Sequence, residues 1–174
     1  MQVAILGDTH IPSSATELPE WVRTRLADAD YTLHAGEFDS VEAYETVLAL
    51  TDGMLTAVAG DADPPELDLP PVEIAEFEGI TFVVTRDQER LASAVRERVD
   101  GVHVGDDSEG DFDVVGVLGD DHDPTDERID GVRVLHPGSA TGAPPTAQPT
   151  MFVVQIEDGE YETVLLPHEK LQFD

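Results

Sequence analysis

Short apolar blocks separated by polar turns run along the whole chain, and the first block is the clearest. Val3-Ala4-Ile5-Leu6 is continuously apolar and ends at Gly7, the pattern of a strand buried on both faces. Leu18, Trp21, Val22 and Leu26 recur at helical spacing and predict a first helix over residues 17–27. Tyr31-Thr32-Leu33-His34 predicts a second strand. Asp39 or Ser40 can cap a helix that runs to Leu50, and residues 54–58 predict a third strand. This βαβαβ order implies parallel strands joined by right-handed crossovers.

The second half has a different rhythm. Apolar runs at 72–77 and 80–85 flank Glu78-Gly79, a hairpin signal. Residues 91–99 predict a short helix, and 101–104 and 114–118 predict short strands on either side of an acidic loop at 106–113. Asp130-Gly131 and Asp158-Gly159 mark two more hairpins, the second between strands at 152–157 and 161–166. Residues 138–149, rich in Pro, Ala, Thr and Gly, predict a loop. The expected class is α/β, with two sheets packed together and helices outside. A length of 174 residues suits a single domain spanning 1–174.

Charge changes the picture of the exterior. The chain carries 38 Asp plus Glu against 9 Lys plus Arg, a net charge of −29. Such an excess goes with disorder when hydrophobicity is low. Here the acids are dispersed among strongly apolar segments at 3–6, 82–84 and 151–154, so a folded, acid-coated domain is expected. Lys170 is the only lysine. Low lysine with dispersed carboxylates points to a halophilic protein adapted to molar salt, where the Debye length falls to roughly 3 Å. Circular dichroism along a KCl series tests this: secondary structure is expected to be lost as salt is withdrawn, and an unchanged spectrum at very low salt would contradict it.

The same balance excludes a generic nucleic-acid surface, which needs a basic stripe. With no cysteine, disulfides and thiolate metal sites are excluded. No apolar stretch approaches the roughly 20 residues of a membrane span and no leader pattern precedes the first strand, so a cytoplasmic protein is expected.

Candidate chemistry falls at strand ends, where open α/β sheets bind ligands. Asp8 and His10 follow the first strand, Glu37 the second, Asp61 the third, and Asp120 with His122 a later one. Carboxylate and imidazole delivered from several strand tips to one edge suit a divalent cation. His34, inside an apolar strand, reads as a hydrogen-bonded core histidine. His103 and His168 read as structural or exposed, and His136 as ordering the turn after it.

Gly7-Asp8-Thr9-His10, His34-Ala35-Gly36-Glu37, Gly60-Asp61-Ala62-Asp63, Gly119-Asp120-Asp121-His122 and His136-Pro137-Gly138-Ser139 together resemble the ordered blocks of the small calcineurin-like metallophosphoesterases. The likeness is to the compact phosphodiesterase branch that also includes the non-catalytic retromer subunit. The resemblance implies a four-layer αββα sandwich of two mixed sheets and a two-metal centre that hydrolyses phosphodiesters. One metal would be held by Asp8, His10 and His122, with Glu37 in the place of the bridging aspartate. The other would take Glu37, Asp61, Asp120 and the position of Arg86.

The chain departs from that pattern at the second position. The family has asparagine where Asp61 stands, and histidine where Arg86 and Asp120 stand. Aspartate can coordinate a cation, whereas guanidinium has no lone pair to give. The expectation is that Arg86 occupies the second metal's place and pairs with Asp61 and Asp120, leaving one ion rather than two. The alternative for Arg86 is a surface ion pair with Asp87 or Glu89. Three functions follow. The first is a phosphodiesterase acting on a small phosphoester, using Mn²⁺, Mg²⁺ or Ni²⁺, with Asp61, Asp120 and Arg86 at the reacting group. The second is a binding module for a protein partner, with at most one ion. The third is an acid-rich Ca²⁺ or Mg²⁺ domain without phosphoester chemistry. Oligomeric state is left open.

Overall fold

A computed structural model of the chain describes residues 1–100 and 113–167. The expected strand at 101–104, all but the last residue of the acidic loop at 106–113, His103 and His168 lie outside the described residues. In chain order the elements are β1 (Gln2–Leu6), α1 (Glu20–Asp28), β2 (Tyr31–His34), α2 (Val41–Leu50), β3 (Leu55–Ala57), β4 (Val72–Phe77), β5 (Ile80–Thr85), α3 (Gln88–Asp100), β6 (Val114–Leu118), β7 (Thr125–Ile129), β8 (Val132–His136), β9 (Met151–Glu157) and β10 (Glu160–Leu166). One sheet has the order β10-β9-β1-β2-β3 and the other β4-β5-β6-β8-β7. In the first, β1, β2 and β3 are parallel and the β9–β10 hairpin is antiparallel to β1. In the second, β5, β6 and β8 are parallel, with antiparallel β4 and β7 at the edges.

The apolar runs explain the layers. Side chains alternate across a strand, so β1 sends Val3 and Ile5 one way and Ala4 and Leu6 the other, all of them buried. Val3 and Ile5 join Leu33, Phe82, Val84, Val115 and Val117 in the core between the two sheets. Ala4 and Leu6 pack with Val22 and Leu26 of α1 and Val47 of α2. On the far side Leu91 and Val95 of α3 cover Val83 and Val134, and Gly116 makes room for them, since a Cβ there would stand 2.9 Å from Leu91. Each fully buried Val, Leu, Ile or Phe contributes about 1.5–3 kcal/mol. Exposed ion pairs such as Arg90–Asp87 are worth under about 1 kcal/mol. The three apolar layers therefore hold the fold, and it is the four-layer αββα arrangement. Among the described residues no helix is long and apolar enough to cross a membrane.

Element ends differ from the pattern-based expectation for local reasons. The first helix starts at Glu20 rather than residue 17, because Pro19 forces its predecessor out of helical geometry. Ser40, not Asp39, caps α2, its side chain accepting the Ala43 N–H. Helix α3 starts at Gln88 rather than 91, because the Asp87 carboxylate accepts the N–H groups of Glu89 and Arg90.

Candidate metal centre

The tips of β1, β2, β3, β5 and β6 meet at one end of the sandwich and carry the polar residues of the site. Asp8, His10, Glu37, Asp39 and Asp120 all have left-handed backbone, with φ of 46°, 46°, 67°, 73° and 80°. Non-glycine residues adopt that region at a cost, and such strain concentrates at functional sites.

Asp8 lies at the centre of the cluster, fully buried. Its Oδ1 is 3.4 Å from His10 Nε2 and 3.7 Å from His122 Nε2, close enough for the three atoms to share one cation. Each imidazole is turned by its other nitrogen. His10 Nδ1–H donates to Asp39 Oδ2 at 2.9 Å, and His122 Nδ1–H donates to the Pro144 carbonyl at 2.7 Å. Both Nε2 lone pairs are thereby left facing Asp8, the usual support of a metal-ligating histidine. Among the described residues, Asp8 Oδ2 and His10 Nε2 are buried and find no hydrogen-bond partner. A divalent cation would give His10 Nε2 a partner, and two imidazole nitrogens with a carboxylate oxygen form a donor set for a borderline metal. Burial pushes the Asp8 carboxyl above its usual range despite the opposing pull of Arg86, His122 and His10. A second cluster, His10, Glu37 and Asp39, would need the Nδ1 of His10 that Asp39 already engages.

Arg86 fills the other half of the site. Its Nη1 donates to Asp8 Oδ1 at 3.1 Å and to the Ala35 carbonyl at 3.0 Å, and its Nη2 donates to Asp120 Oδ1 at 3.1 Å. Glu37 Oε1 is 3.8 Å from Nη2. Gly119 leaves the space for this, since a Cβ there would meet the Ala35 oxygen at 2.5 Å and Nη1 at 2.7 Å. Of the two partners expected for Arg86, only Asp120 pairs with it. Asp61 is exposed at the tip of β3 and forms no ion pair with Arg86, whose place is taken by Asp8. Neither Asp87 nor Glu89 pairs with Arg86. Burial raises the Glu37 carboxyl, against the lowering effects of the Ala62 N–H and Arg86.

Two acids that pattern reading passed over build this geometry. Asp39, freed from capping by Ser40, orients His10. Asp63 accepts four backbone N–H groups, from Glu37 at 3.1 Å and Gly60 at 2.8 Å through Oδ2, and from Phe38 at 2.6 Å and Asp39 at 2.9 Å through Oδ1. It ties the β2 and β3 tips together. The signal for Asp63 was its place inside the block Gly60-Asp61-Ala62-Asp63, and for Asp39 its position two residues after Glu37. His136 is bonded to Glu127 through Nε2 at 3.0 Å, rather than to the turn that follows it.

His34 is a core residue. Its Nδ1 accepts the Gly36 N–H at 3.0 Å, which leaves Nε2–H to donate to Thr9 Oγ1 at 2.8 Å, and Phe38 stacks on the ring. Burial, with Arg86 and His10 adding repulsion, lowers its pKa to about 3. The unfolded chain takes up a proton below pH 6.5 and the folded one does not. His34 therefore contributes stability above pH 6.5 that is lost as pH falls towards 3, at about 1.4 kcal/mol per pH unit. Wild type is expected to lose about 2 kcal/mol more than His34→Gln between pH 7 and 5 in urea unfolding, and equal losses would contradict a neutral His34.

Residues 1–159 match the calcineurin-like phosphoesterase superfamily domain. A probable metallophosphoesterase of Methanothermobacter thermautotrophicus is 27% identical over 162 residues, covering 92% of this chain and 88% of the relative. Wild-type Vps29 from Entamoeba histolytica, complexed with zinc, superposes with a TM-score of 0.69 at 22% identity, over 95% of this chain and 98% of that one. An archaeal phosphodiesterase superposes with a TM-score of 0.66 at 20% identity, over 95% of this chain and 100% of that one.

Proposed function

Since the chain belongs to the calcineurin-like phosphoesterase superfamily, we propose that it is a one-ion member that hydrolyses a small phosphodiester, with Arg86 standing in for a second cation. The observation that carries this reading is the Arg86 guanidinium itself, bonded to Asp8 and Asp120 and lying beside Glu37. The ion, Mn²⁺ with Mg²⁺ or Ni²⁺ as alternatives, would be held by Asp8, His10 and His122. When bound it supplies Lewis acidity and a water of lowered pKa. Arg86 presents a forked donor to a phosphoryl oxygen. Asp120, with a side chain 76% exposed, is free to leave Arg86 and accept the proton of the attacking water. Asp61, exposed at the rim, is the second acid for orienting that water.

The test is hydrolysis of a bis-aryl phosphate in molar KCl. Activity is expected with Mn²⁺ and lost on EDTA treatment. A null rate with one bound ion would instead support a binding module whose ion is structural. One observation favours that second reading: Arg86 already satisfies the carboxylates that a second metal would otherwise engage, and its donors are taken up by them. The acidic exterior would then suit a basic protein partner, with binding that weakens as salt rises.

A further inference from the structure

Residues 137–150 carry the chain from β8 in one sheet to β9 in the other, and on the way they touch both halves of the metal cluster. Three consecutive residues of this segment donate to three consecutive carbonyls after β1. Ala140 N–H donates to Gly7 O at 2.9 Å, Ser139 Oγ–H to Asp8 O at 2.7 Å, and Thr141 Oγ1–H to Thr9 O at 2.7 Å. Three residues later the Pro144 carbonyl receives His122 Nδ1–H at 2.7 Å. The segment is itself braced, Ser139 Oγ accepting the Ala143 N–H at 2.9 Å and Thr150 Oγ1–H donating to Pro137 O at 2.8 Å.

These bonds fall where the backbone is least comfortable. Asp8 and His10 both have φ of 46°, and a non-glycine residue in that region gives up roughly 1–2 kcal/mol. The Asp8 and Thr9 carbonyls lie between and beside those two residues, so holding them holds the turn that brings both side chains to one point. The same segment sets the ring of His122, which arrives from the other sheet. We infer that residues 139–144 form a strap that positions the metal ligands, with Thr141 as a positioning residue that touches neither the ion nor the substrate. This rests on the reading of Asp8, His10 and His122 as the ligands.

Thr141 is partly exposed, so its hydroxyl can be removed at nearly constant shape. Mn²⁺ affinity is measured by titration calorimetry in molar KCl, well below the melting temperature, for wild type, Thr141→Val and Thr141→Ser. Thr141→Val is expected to bind about tenfold more weakly, as for loss of an outer-shell support, with Thr141→Ser close to wild type. A purely structural role would lower the melting temperature and leave the affinity of the folded protein unchanged. A folded Thr141→Val with wild-type affinity therefore overturns the strap and leaves the metal reading standing. A wild type that binds no Mn²⁺ overturns both. If Thr141→Val does not fold, Thr141→Ala is measured with the same expectation.

Discussion

Asp8→Ala is expected to fold, bind no Mn²⁺ and lose at least about a thousandfold in phosphodiester hydrolysis, the several kcal/mol that a metal ion contributes to such a reaction. Among the described residues, Asp8 is the one that faces both imidazole Nε2 atoms and Arg86 together. Its removal takes the only carboxylate out of the three-residue cluster that could hold an ion. The fold should not suffer with it. Burial already disfavours the charged carboxylate, and Arg86 keeps the Ala35 carbonyl and Asp120 as partners. Stability in EDTA is therefore expected to stay within about 1 kcal/mol of wild type, since relief of the desolvated charge offsets the small cavity. Elemental analysis, hydrolysis rates and urea unfolding read the three parts separately. Stoichiometric Mn²⁺ in the variant would contradict the ligand assignment.

Arg86→Ala should do the reverse, harming the fold before it harms metal binding. It strips the cation from between Asp8 and Glu37, both buried, and from exposed Asp120. Breaking a buried pair by removing one partner costs about 3–5 kcal/mol, a large share of a total of about 5–15 kcal/mol. That loss is expected in EDTA. Added Mn²⁺ should raise the stability of Arg86→Ala more than that of wild type, because the uncovered carboxylates offer a second place for an ion and binding to the folded state alone is stabilising. Urea midpoints with and without Mn²⁺ measure this. Equal metal-induced shifts in the two proteins would mean that Arg86 does not stand in a cation's place.

Local chemistry was the legible part of this chain. The hairpins at Glu78-Gly79, Asp130-Gly131 and Asp158-Gly159 follow from two-residue turns in which both positions have positive φ, and all three are found so. The unbroken apolar run of β1 announced a strand covered on both sides, and the placement of Asp8, Glu37 and His122 after strands announced that they meet. Side-chain direction was not legible. Asp61 and Asp8 both follow strands, and only the approach of the β5 tip decides that Arg86 turns to Asp8. The role of Asp63 was hidden for the same reason, since its four amide partners come from two strand tips that are neighbours only once the sheet has formed. Asp39 was masked by a competing local reading, a helix cap that Ser40 supplies.

The halves of the site make different demands on an ion, and counting ions separates them. The most direct measurement is anomalous diffraction from crystals grown in Mn²⁺ and molar KCl. One ion is expected, ligated by Asp8, His10 and His122, with Arg86 still bonded to Asp120. Two ions about 3.5 Å apart, the spacing of a two-metal clamp, with Arg86 displaced, would contradict it.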